Sequence, residues 1–324
     1  MNSLLIERHG LLATLQDAGR FGVRHLGVSQ GGGADWISLR WANWLLGNPL
    51  DATVIEITLG GFSLVAEQDC CLALCGADLD ARLDDAPLAP WRSFVIRKGQ
   101  RLSLNQARQG VRAYLAAPGG FQAPTVMHSC ATVVREGLGG LHGDGRPLAD
   151  DERLSWRGHS PAPRELPAER IPDLASRAPL QVVLGAQIGD FSGQSLFDAF
   201  DSEWKVDTRA DRMGVRLCGP VLRCLRREMV SEGIPLGAIQ VPADGQPIVL
   251  LNDRQTIGGY PRLGALTPHA VARLAQCPPG TRLRLAPVGL EIAQRQQRQL
   301  LALWQDGCRQ HGDAVTTAQS RRTA

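Results

Sequence analysis

Three short motifs occur twice in this chain, in the same order. Residues 20–27 (RFGVRHLG) return as 212–219 (RMGVRLCG), residues 58–62 (TLGGF) as 256–260 (TIGGY), and residues 99–104 (GQRLSL) as 280–285 (GTRLRL). Ordered recurrence predicts two similar structural units that arose by internal duplication. We expect each unit to be a closed or nearly closed β-barrel, because closure removes exposed sheet edges.

Short apolar runs bounded by Gly, Pro or Asp dominate the chain, a pattern typical of strands. The expected strands lie at residues 4–7, 54–59, 70–75, 94–96, 101–104, 111–116, 180–184, 221–225 and 282–285. Helical signals are few and predict helices over residues 35–46, capped by Asp35, over 267–276, and over 290–307. The fold class is therefore mainly β, with a few short helices.

Residues 160–179 are rich in proline and polar side chains, as linkers are. We place the first barrel at residues 1–170, the second at 171–290, and a C-terminal helix with a frayed tail at 291–324.

Charge and hydropathy exclude several classes of partner. The 324 residues carry 35 Lys and Arg against 32 Asp and Glu, and the arginines are scattered rather than clustered. Nucleic acid is therefore not an expected partner. The sequence has neither a secretion signal at its start nor a long apolar run, which predicts a cytoplasmic protein without membrane contact.

The chain has eight cysteines, and no two of them have Cys-x-x-Cys spacing. No histidine lies beside them at the spacing of a metal ligand. The group at 70, 71 and 75 lies in an apolar, strand-like run. We expect buried free thiols in a reducing compartment and no metal site.

The most informative stretch is residues 229–264. Two apolar runs, 237–241 and 248–251, flank the turn-rich residues 242–247 and predict a β-hairpin. Polarity then changes abruptly at residues 252–256 (NDRQT), which are followed by GGYP. Such a cluster at the end of a strand suits a small polar substrate at a barrel rim, although a polar surface loop would have the same composition.

Several motifs resemble those of the allophanate-hydrolase-subunit-2 family, also described as biotin-dependent carboxyltransferase subdomains A and B. They are residues 14–20 (TLQDAGR), 46–49 (LGNP), 56–61 (EITLGG), 211–214 (DRMG), 231–233 (SEG), 237–242 (GAIQVP), 245–247 (GQP) and 253–261 (DRQTIGGYP). The resemblance covers about residues 4–290. It implies two cyclophilin-like β-barrel domains, in agreement with the repeat.

The resemblance also implies work in a complex. The expected partners are the KipI-like and the LamB/YcsF-like subunits of a 5-oxoprolinase, which opens 5-oxoproline (pyroglutamate) to L-glutamate with ATP. Relatives of this family use carboxybiotin on urea or a related amide, so biotin belongs to that alternative. The chain has no biotin-accepting Met-Lys-Met motif and no phosphate-binding loop, so ATP phosphates are expected elsewhere in the assembly or on arginines.

The chain departs from the family pattern mainly in its first half. Residues 28–35 read VSQGGGAD, residues 128–132 read HSCAT, residues 185–187 read GAQ, and Ala270 replaces an expected aspartate. The first half has thus lost several polar groups of the family pattern. This loss favours a third possibility, a non-catalytic module that regulates a KipI-like partner. The intact polar run after Leu251 favours an enzyme subunit instead.

Candidate residues follow from the motifs. Asp253 is the leading acid/base candidate, with a pKa expected to follow its burial and its neighbour Arg254. Glu232 and Arg212 are the other catalytic candidates, and each has an alternative structural role as a turn cap or a barrel brace. The candidates for binding a small polar amide are Gln240, Gln246, Arg254, Gln255, Thr256, Tyr260, Gln16, Asp17, Arg20 and Asp35.

Overall fold

A computed structural model describes residues 2–226 and 229–304. Its strands are β1 (Asn2–His9), β2 (Leu12–Gln16), β3 (Val54–Thr58), β4 (Gly60–Ala66), β5 (Cys70–Asp78), β6 (Ala81–Leu83), β7 (Ala86–Pro87), β8 (Arg92–Ile96), β9 (Arg101–Gln106), β10 (Gln109–Ala116), β11 (Arg153–Trp156), β12 (Leu180–Leu184), β13 (Trp204–Val206), β14 (Gly214–Cys218), β15 (Glu232–Gly233), β16 (Ala238–Gln240), β17 (Ile248–Leu250), β18 (Ile257–Gly258), β19 (Arg262–Leu266), β20 (Arg282–Leu283) and β21 (Leu285–Pro287). The helices are α1 (Trp36–Leu46), α2 (Gly193–Asp201), α3 (Pro268–Leu274) and α4 (residues 290–304). The predicted mainly β fold class is confirmed.

The first half of the chain forms two antiparallel sheets around one core. One sheet has the order β11-β1-β4-β9-β6-β7 and the other the order β2-β3-β10-β5-β8. The chain passes from one sheet to the other between β1 and β2 and again between β3 and β4, where Leu59 alone separates the strands. Fully buried side chains from both sheets, including Ile6, Leu15 and Ile55, pack together between them.

The second half forms one eight-stranded sheet with the order β20-β13-β14-β17-β16-β19-β12-β21. Its two edge strands, β20 and β21, are separated in sequence by Arg284 alone. The sheet therefore wraps round into a nearly closed barrel, which removes its free edges. The predicted hairpin is confirmed, because Ile239 pairs with Val249 and Gln240 with Ile248.

Helices pack on the outside of the first half. Asp35 caps α1 by accepting from the backbone N–H groups of Ile37 and Ser38 at 3.1 Å, as predicted. Although α4 follows the second barrel, it returns to α1, where the buried Trp304 ring lies 5.2 Å from that of Trp41. Residues 305–307 of the predicted helix, and Cys308, lie outside the described part of the chain.

One local prediction was wrong, and one helix was missed. Residues 221–225 form no strand, because Val221 and Leu225 are 59% and 74% exposed, and the segment contributes only an isolated bridge between Cys224 and Phe191. Helix α2 carries a capping serine, Ser192, but the sequence patterns predicted no element there.

The repeated motifs differ in how far their local structures agree. Gly99 and Gly280 both have left-handed φ, of 85° and 88°, and one residue separates each from its strand, β9 or β20. Residues 20–27, however, form a loop with a 3-10 helix at Arg24–Leu26, whereas residues 212–219 contain β14. Gly22 and Gly27 of the first copy have left-handed φ, whereas their counterparts Gly214 and Gly219 do not. The predicted domain limits at residues 170 and 290 stay predictions.

The cysteines that the structure describes are free thiols, with those at 70, 71, 75 and 130 buried, as expected. Within residues 2–226 and 229–304, no helix has the length and apolar character needed to cross a membrane.

Candidate functional site

The polar run predicted after β17 lies against the glycine-rich segment 28–35 of the other half. The backbone N–H of Gly31 donates to the Asn252 carbonyl at 3.2 Å, and Asn252 Nδ2 donates back to the carbonyls of Gly31 and Gly33 at 3.1 and 3.2 Å. Gly32 has φ 91°, and a Cβ there would lie 2.7 Å from the Ala18 carbonyl oxygen, which explains the glycine. The run is thus part of the contact between the two halves.

At this contact three buried charged side chains form what we call the carboxylate cluster: Glu56, Arg212 and Asp253. Arg212 binds Asp253 through two hydrogen bonds of 2.9 Å, from Nε and Nη2, and binds Glu56 from Nη1 at 2.5 Å. Its Nη2 also donates to the Gly32 carbonyl at 2.7 Å. One guanidinium therefore joins a carboxylate from each half.

Burial and charge act against each other in this cluster. Burial alone would raise the pKa of Glu56, but Arg212 and Arg112 outweigh it and hold that pKa below its usual value. Burial raises the pKa of Asp253, and the attraction of Arg212 opposes the rise. Burial alone would lower the pKa of Arg212, but the two carboxylates raise it. Asp253 is therefore paired with Arg212 and not, as the sequence suggested, with its neighbour Arg254.

Glu56 is the one cluster member that the sequence motifs did not mark as a site residue. Besides Arg212, it accepts from the backbone N–H of Ala34 at 2.9 Å and from the Tyr114 hydroxyl at 2.7 Å. A signal was present, since Glu56 is the single charged residue in the otherwise apolar run of β3. A buried glutamate in such a strand needs a cationic partner, which here comes from the other half.

The structure gives Asp35 a structural task, and its role in substrate binding stays a prediction. Its carboxylate caps α1 and also accepts from Ser38 Oγ at 2.5 Å and from Gln276 Nε2 at 2.8 Å. These contacts occupy both carboxylate oxygens, so the side chain holds α1 and residue 276 of the other half together.

Asp17 and Gln16 likewise serve the first half itself. Asp17 accepts from the hydroxyl of Ser129 at 2.7 Å and from the backbone N–H of Cys130 at 2.8 Å. Gln16 Nε2 donates to the Thr132 carbonyl at 3.0 Å. Both side chains fix the loop around residues 129–132, and their roles as substrate ligands stay predictions.

Arg20 and Gln246 also brace backbone. Arg20 donates to the carbonyls of Val126 at 3.0 Å and Ala131 at 2.7 Å. Gln246 accepts from the Gly219 N–H at 2.9 Å and donates to the Gly219 carbonyl at 3.1 Å. Gln246 thus joins its own segment to residue 219, and its ligand role stays a prediction.

The remaining candidates, in and near β15, β16 and β18, differ in exposure. Glu232 is exposed, pairs with Arg262 and accepts from Gln187 Nε2 at 3.0 Å. Tyr260 is 51% exposed. Gln240 is buried, and its Nε2 has no hydrogen-bond acceptor among the described residues.

A second group of buried charge lies beside the carboxylate cluster. Arg254 donates from Nε to the Ile234 carbonyl and from Nη1 to the Leu251 carbonyl, both at 3.1 Å. Arg24 donates from Nη2 to the carbonyls of Ile234, Gln255 and Thr256 at 2.9, 3.0 and 3.2 Å. Gln255 and Thr256 therefore contribute backbone oxygens here. We call Arg24 and Arg254 the arginine pair.

Burial lowers the pKa of Arg254 to about 9, and the like charge of Arg24 adds to the effect. Burial also lowers the pKa of Arg24. The sequence motifs did not single out Arg24, because a lone arginine in a polar loop carries no signal of its tertiary partners.

Comparison with known proteins gives a consistent result. Residues 26–287 match the model of a family described as carboxyltransferase domain, subdomain A and B. The chain is 40% identical to the C subunit of 5-oxoprolinase from Escherichia coli, over 91% of this chain and 96% of that protein. It is 34% identical to the C subunit of 5-oxoprolinase from Haemophilus influenzae, over 88% and 91% of the two chains.

A solved structure agrees with the fold. The crystal structure of the K. lactis urea amidolyase superposes with a TM-score of 0.88 at 25% identity, over 94% of this chain and 20% of that one. This fold is therefore one part of a much longer polypeptide in that enzyme.

Proposed function

The chain belongs to the family of carboxyltransferase domains, subdomains A and B, and from this membership we propose that it is one subunit of a 5-oxoprolinase, which opens 5-oxoproline to L-glutamate. The observation that carries the proposal is the 40% identity to the C subunit of the Escherichia coli 5-oxoprolinase across nearly the full length of both chains. The second relative, from Haemophilus influenzae, has the same name and similar coverage.

We further propose that the chain acts with a KipI-like subunit and with another that is LamB/YcsF-like, and that the assembly uses ATP. The absence of a phosphate-binding loop from the sequence supports a nucleotide site outside this chain.

The contact between the halves supports a role in binding substrate more than in proton transfer. Each catalytic candidate already has a charged partner: Asp253 and Arg212 bind each other, and Glu232 pairs with Arg262. Both carboxylate oxygens of Asp253 accept from Arg212, so neither is free to take a proton from a substrate. We therefore propose that this chain completes a site whose acid/base groups lie in one of its partners.

Reconstitution tests the proposal. The three purified subunits are mixed, and glutamate and ADP formation are measured with and without 5-oxoproline and with each of the three omitted in turn. Turnover that requires this chain, ATP and 5-oxoproline is the expected result. Turnover at full rate without this chain would leave it only a regulatory role, and no turnover by the complete assembly would contradict the proposal.

A carboxyltransferase acting on urea or a related amide is the second candidate, favoured by the superposition on urea amidolyase. Transfer from carboxybiotin to urea, with no product from 5-oxoproline and ATP, would favour this candidate over the first.

A further inference from the structure

The arginine pair consists of two cations that share one acceptor. Arg24 Nη2 and Arg254 Nε donate to the same Ile234 carbonyl, at 2.9 and 3.1 Å, so the two guanidinium groups are neighbours. Within the described part of the chain, neither forms an ion pair with a carboxylate. The carboxylate of Glu136 attracts Arg24, but its oxygens accept from the backbone N–H and the hydroxyl of Ser29.

Donors in this pair lack acceptors. Arg24 Nη1 is buried without a hydrogen-bond partner among the described residues. Arg254 Nη2 has only a 3.5 Å contact with Gln30 Oε1, the outer limit for a hydrogen bond. A buried donor without an acceptor costs about 1–3 kcal/mol, and more when it is charged. Two adjacent cations with free N–H groups are thus complementary to an anion that the protein itself does not supply.

A third donor lies close by. Gln240 Nε2 is also buried without an acceptor among residues 2–226 and 229–304, and a Cβ placed on Gly258 would lie 2.7 Å from it and 2.6 Å from Ile234 Cδ1. Gln240 Nε2 and the Ile234 side chain therefore face the same glycine, and the backbone carbonyl of Ile234 is the one that joins the two arginines. An amide donor beside a cationic pair matches a ligand that carries a carbonyl and a carboxylate in one small molecule.

We propose that the arginine pair binds the carboxylate of the substrate, and that Gln240 donates to its amide carbonyl. The inference rests on the proposed function, since 5-oxoproline carries both groups on one ring. Arg24 is half-buried, and its sequence neighbours Phe21 and Leu26 have exposed side chains, so this arginine is the one nearer the surface. Arg254 is 2% exposed and is the deeper of the two.

The first experiment measures binding to the full chain and to the three-subunit assembly by isothermal titration at constant ionic strength. The probes are 5-oxoproline, its uncharged analogue 2-pyrrolidinone, and inorganic phosphate. We expect binding of 5-oxoproline to at least one of the two preparations, and weak or absent binding of 2-pyrrolidinone, because only the carboxylate neutralises the arginines. Stronger binding of phosphate than of 5-oxoproline would instead indicate a phosphate site and overturn the assignment to the substrate.

Variants then test the residues. Arg24→Gln should weaken 5-oxoproline binding about 10- to 150-fold, the range for loss of a hydrogen bond to a charged group. Arg24→Lys keeps the charge and a donor to the carbonyls, so it guards against misfolding, and it should weaken binding less. Arg157→Gln, which removes an exposed arginine after β11, is the matched control and should bind as the wild type does.

Failure of this inference is distinct from failure of the proposed function. If the assembly turns over 5-oxoproline and folded Arg24→Gln and Arg24→Lys keep the wild-type KM, the carboxylate does not bind here, while the proposed function stands. If the chain and the assembly bind no probe, the anion site is refuted. If phosphate or another oxyanion binds through Arg24 but 5-oxoproline is neither bound nor turned over, the proposed function and this assignment both fall.

Discussion

Two groups of buried charge lie side by side where the halves of this molecule meet, and they differ in whether the protein supplies acceptors for their cations. In the carboxylate cluster, Arg212 has a carboxylate on each side, and its three nitrogens all have acceptors within the protein. In the arginine pair, Arg24 and Arg254 have only carbonyl oxygens, and Arg24 Nη1 has no acceptor among the described residues. Both groups are shared between the first half and the second.

The difference separates a structural role from a functional one. A satisfied buried ion network fixes the geometry of the groups around it, and removing one member leaves an uncompensated charge. An unsatisfied buried cation lowers stability unless a ligand completes it, and proteins retain such groups mainly at sites. The carboxylate cluster therefore holds the polar run after β17 in place. Arg254 of the arginine pair belongs to that run, so its position depends on the cluster.

The largest expected effect comes from Arg212→Ala. The change leaves Asp253 buried without its cation and leaves Glu56 with only Arg112, whose Nε lies 3.6 Å away. Breaking a buried pair in this way costs about 3–5 kcal/mol. Urea unfolding followed by tryptophan fluorescence measures the loss, since several tryptophans are buried. A loss below about 1 kcal/mol would show that the two carboxylates find other partners, and the contrast between the two groups would fail.

Acid should weaken the same cluster in a way that is specific to Glu56. Its folded-state pKa lies below the ordinary 4.5, so its contribution to stability is complete above that pH and is lost as pH falls through the folded pKa. The loss is smaller than for Arg212→Ala, because Arg212 and Asp253 remain paired. Thermal unfolding of wild type and Glu56→Gln checks this: the gap in Tm should be wide near neutral pH and narrow at acid pH. A gap that does not change with pH would contradict it.

Asp253→Asn should have a smaller effect again. Asparagine keeps the shape and can still accept one hydrogen bond from Arg212, so we expect a loss of about 1.5–3 kcal/mol, the value of one charged hydrogen bond. Turnover of the reconstituted assembly, measured below the unfolding temperature, should stay near that of the wild type. A stable variant whose kcat falls about 100- to 10,000-fold would instead make Asp253 a general acid or base.

The fold was largely readable from the sequence because its signals are local. The hairpin at residues 237–251 and the cap and end of α1 rest on turn and capping residues, which act over a few positions. Residues 221–225 were misread because an apolar run says nothing about whether a partner strand exists. Residues 20–27 and 212–219 are similar in sequence but differ in structure, because the backbone conformation at their glycines depends on the tertiary surroundings.

Only part of the site could be predicted, because sequence signals are local and the contacts of the site join distant residues. The motif of residues 253–261 marked the right region, but pairing across the halves decides what each side chain does there. Asp253 reaches Arg212, 41 positions away, and not its neighbour Arg254. Glu56 and Arg24 acquire their importance from residues 156 and 210 positions distant, separations at which a single sequence carries no pairing information.

Arg254→Met is the smallest expected change in stability and the sharpest test of the comparison. Methionine has a similar length and is apolar, so the substitution removes a buried cation that has no carboxylate to leave behind. The carbonyls of Ile234 and Leu251 lose a donor, as does Gln30 Oε1 with its long 3.5 Å contact, while Ile234 keeps Arg24. The cost should therefore be about 1 kcal/mol or less, and relief of the repulsion between the arginines partly offsets it. Urea unfolding of Arg254→Met and Arg212→Ala, measured in parallel, compares the losses in unfolding free energy of the two variants. If both arginines proved equally costly to remove, Arg254 would be held by a structural partner as strong as a carboxylate, and the arginine pair would be a second brace between the halves rather than a place left open for an anion.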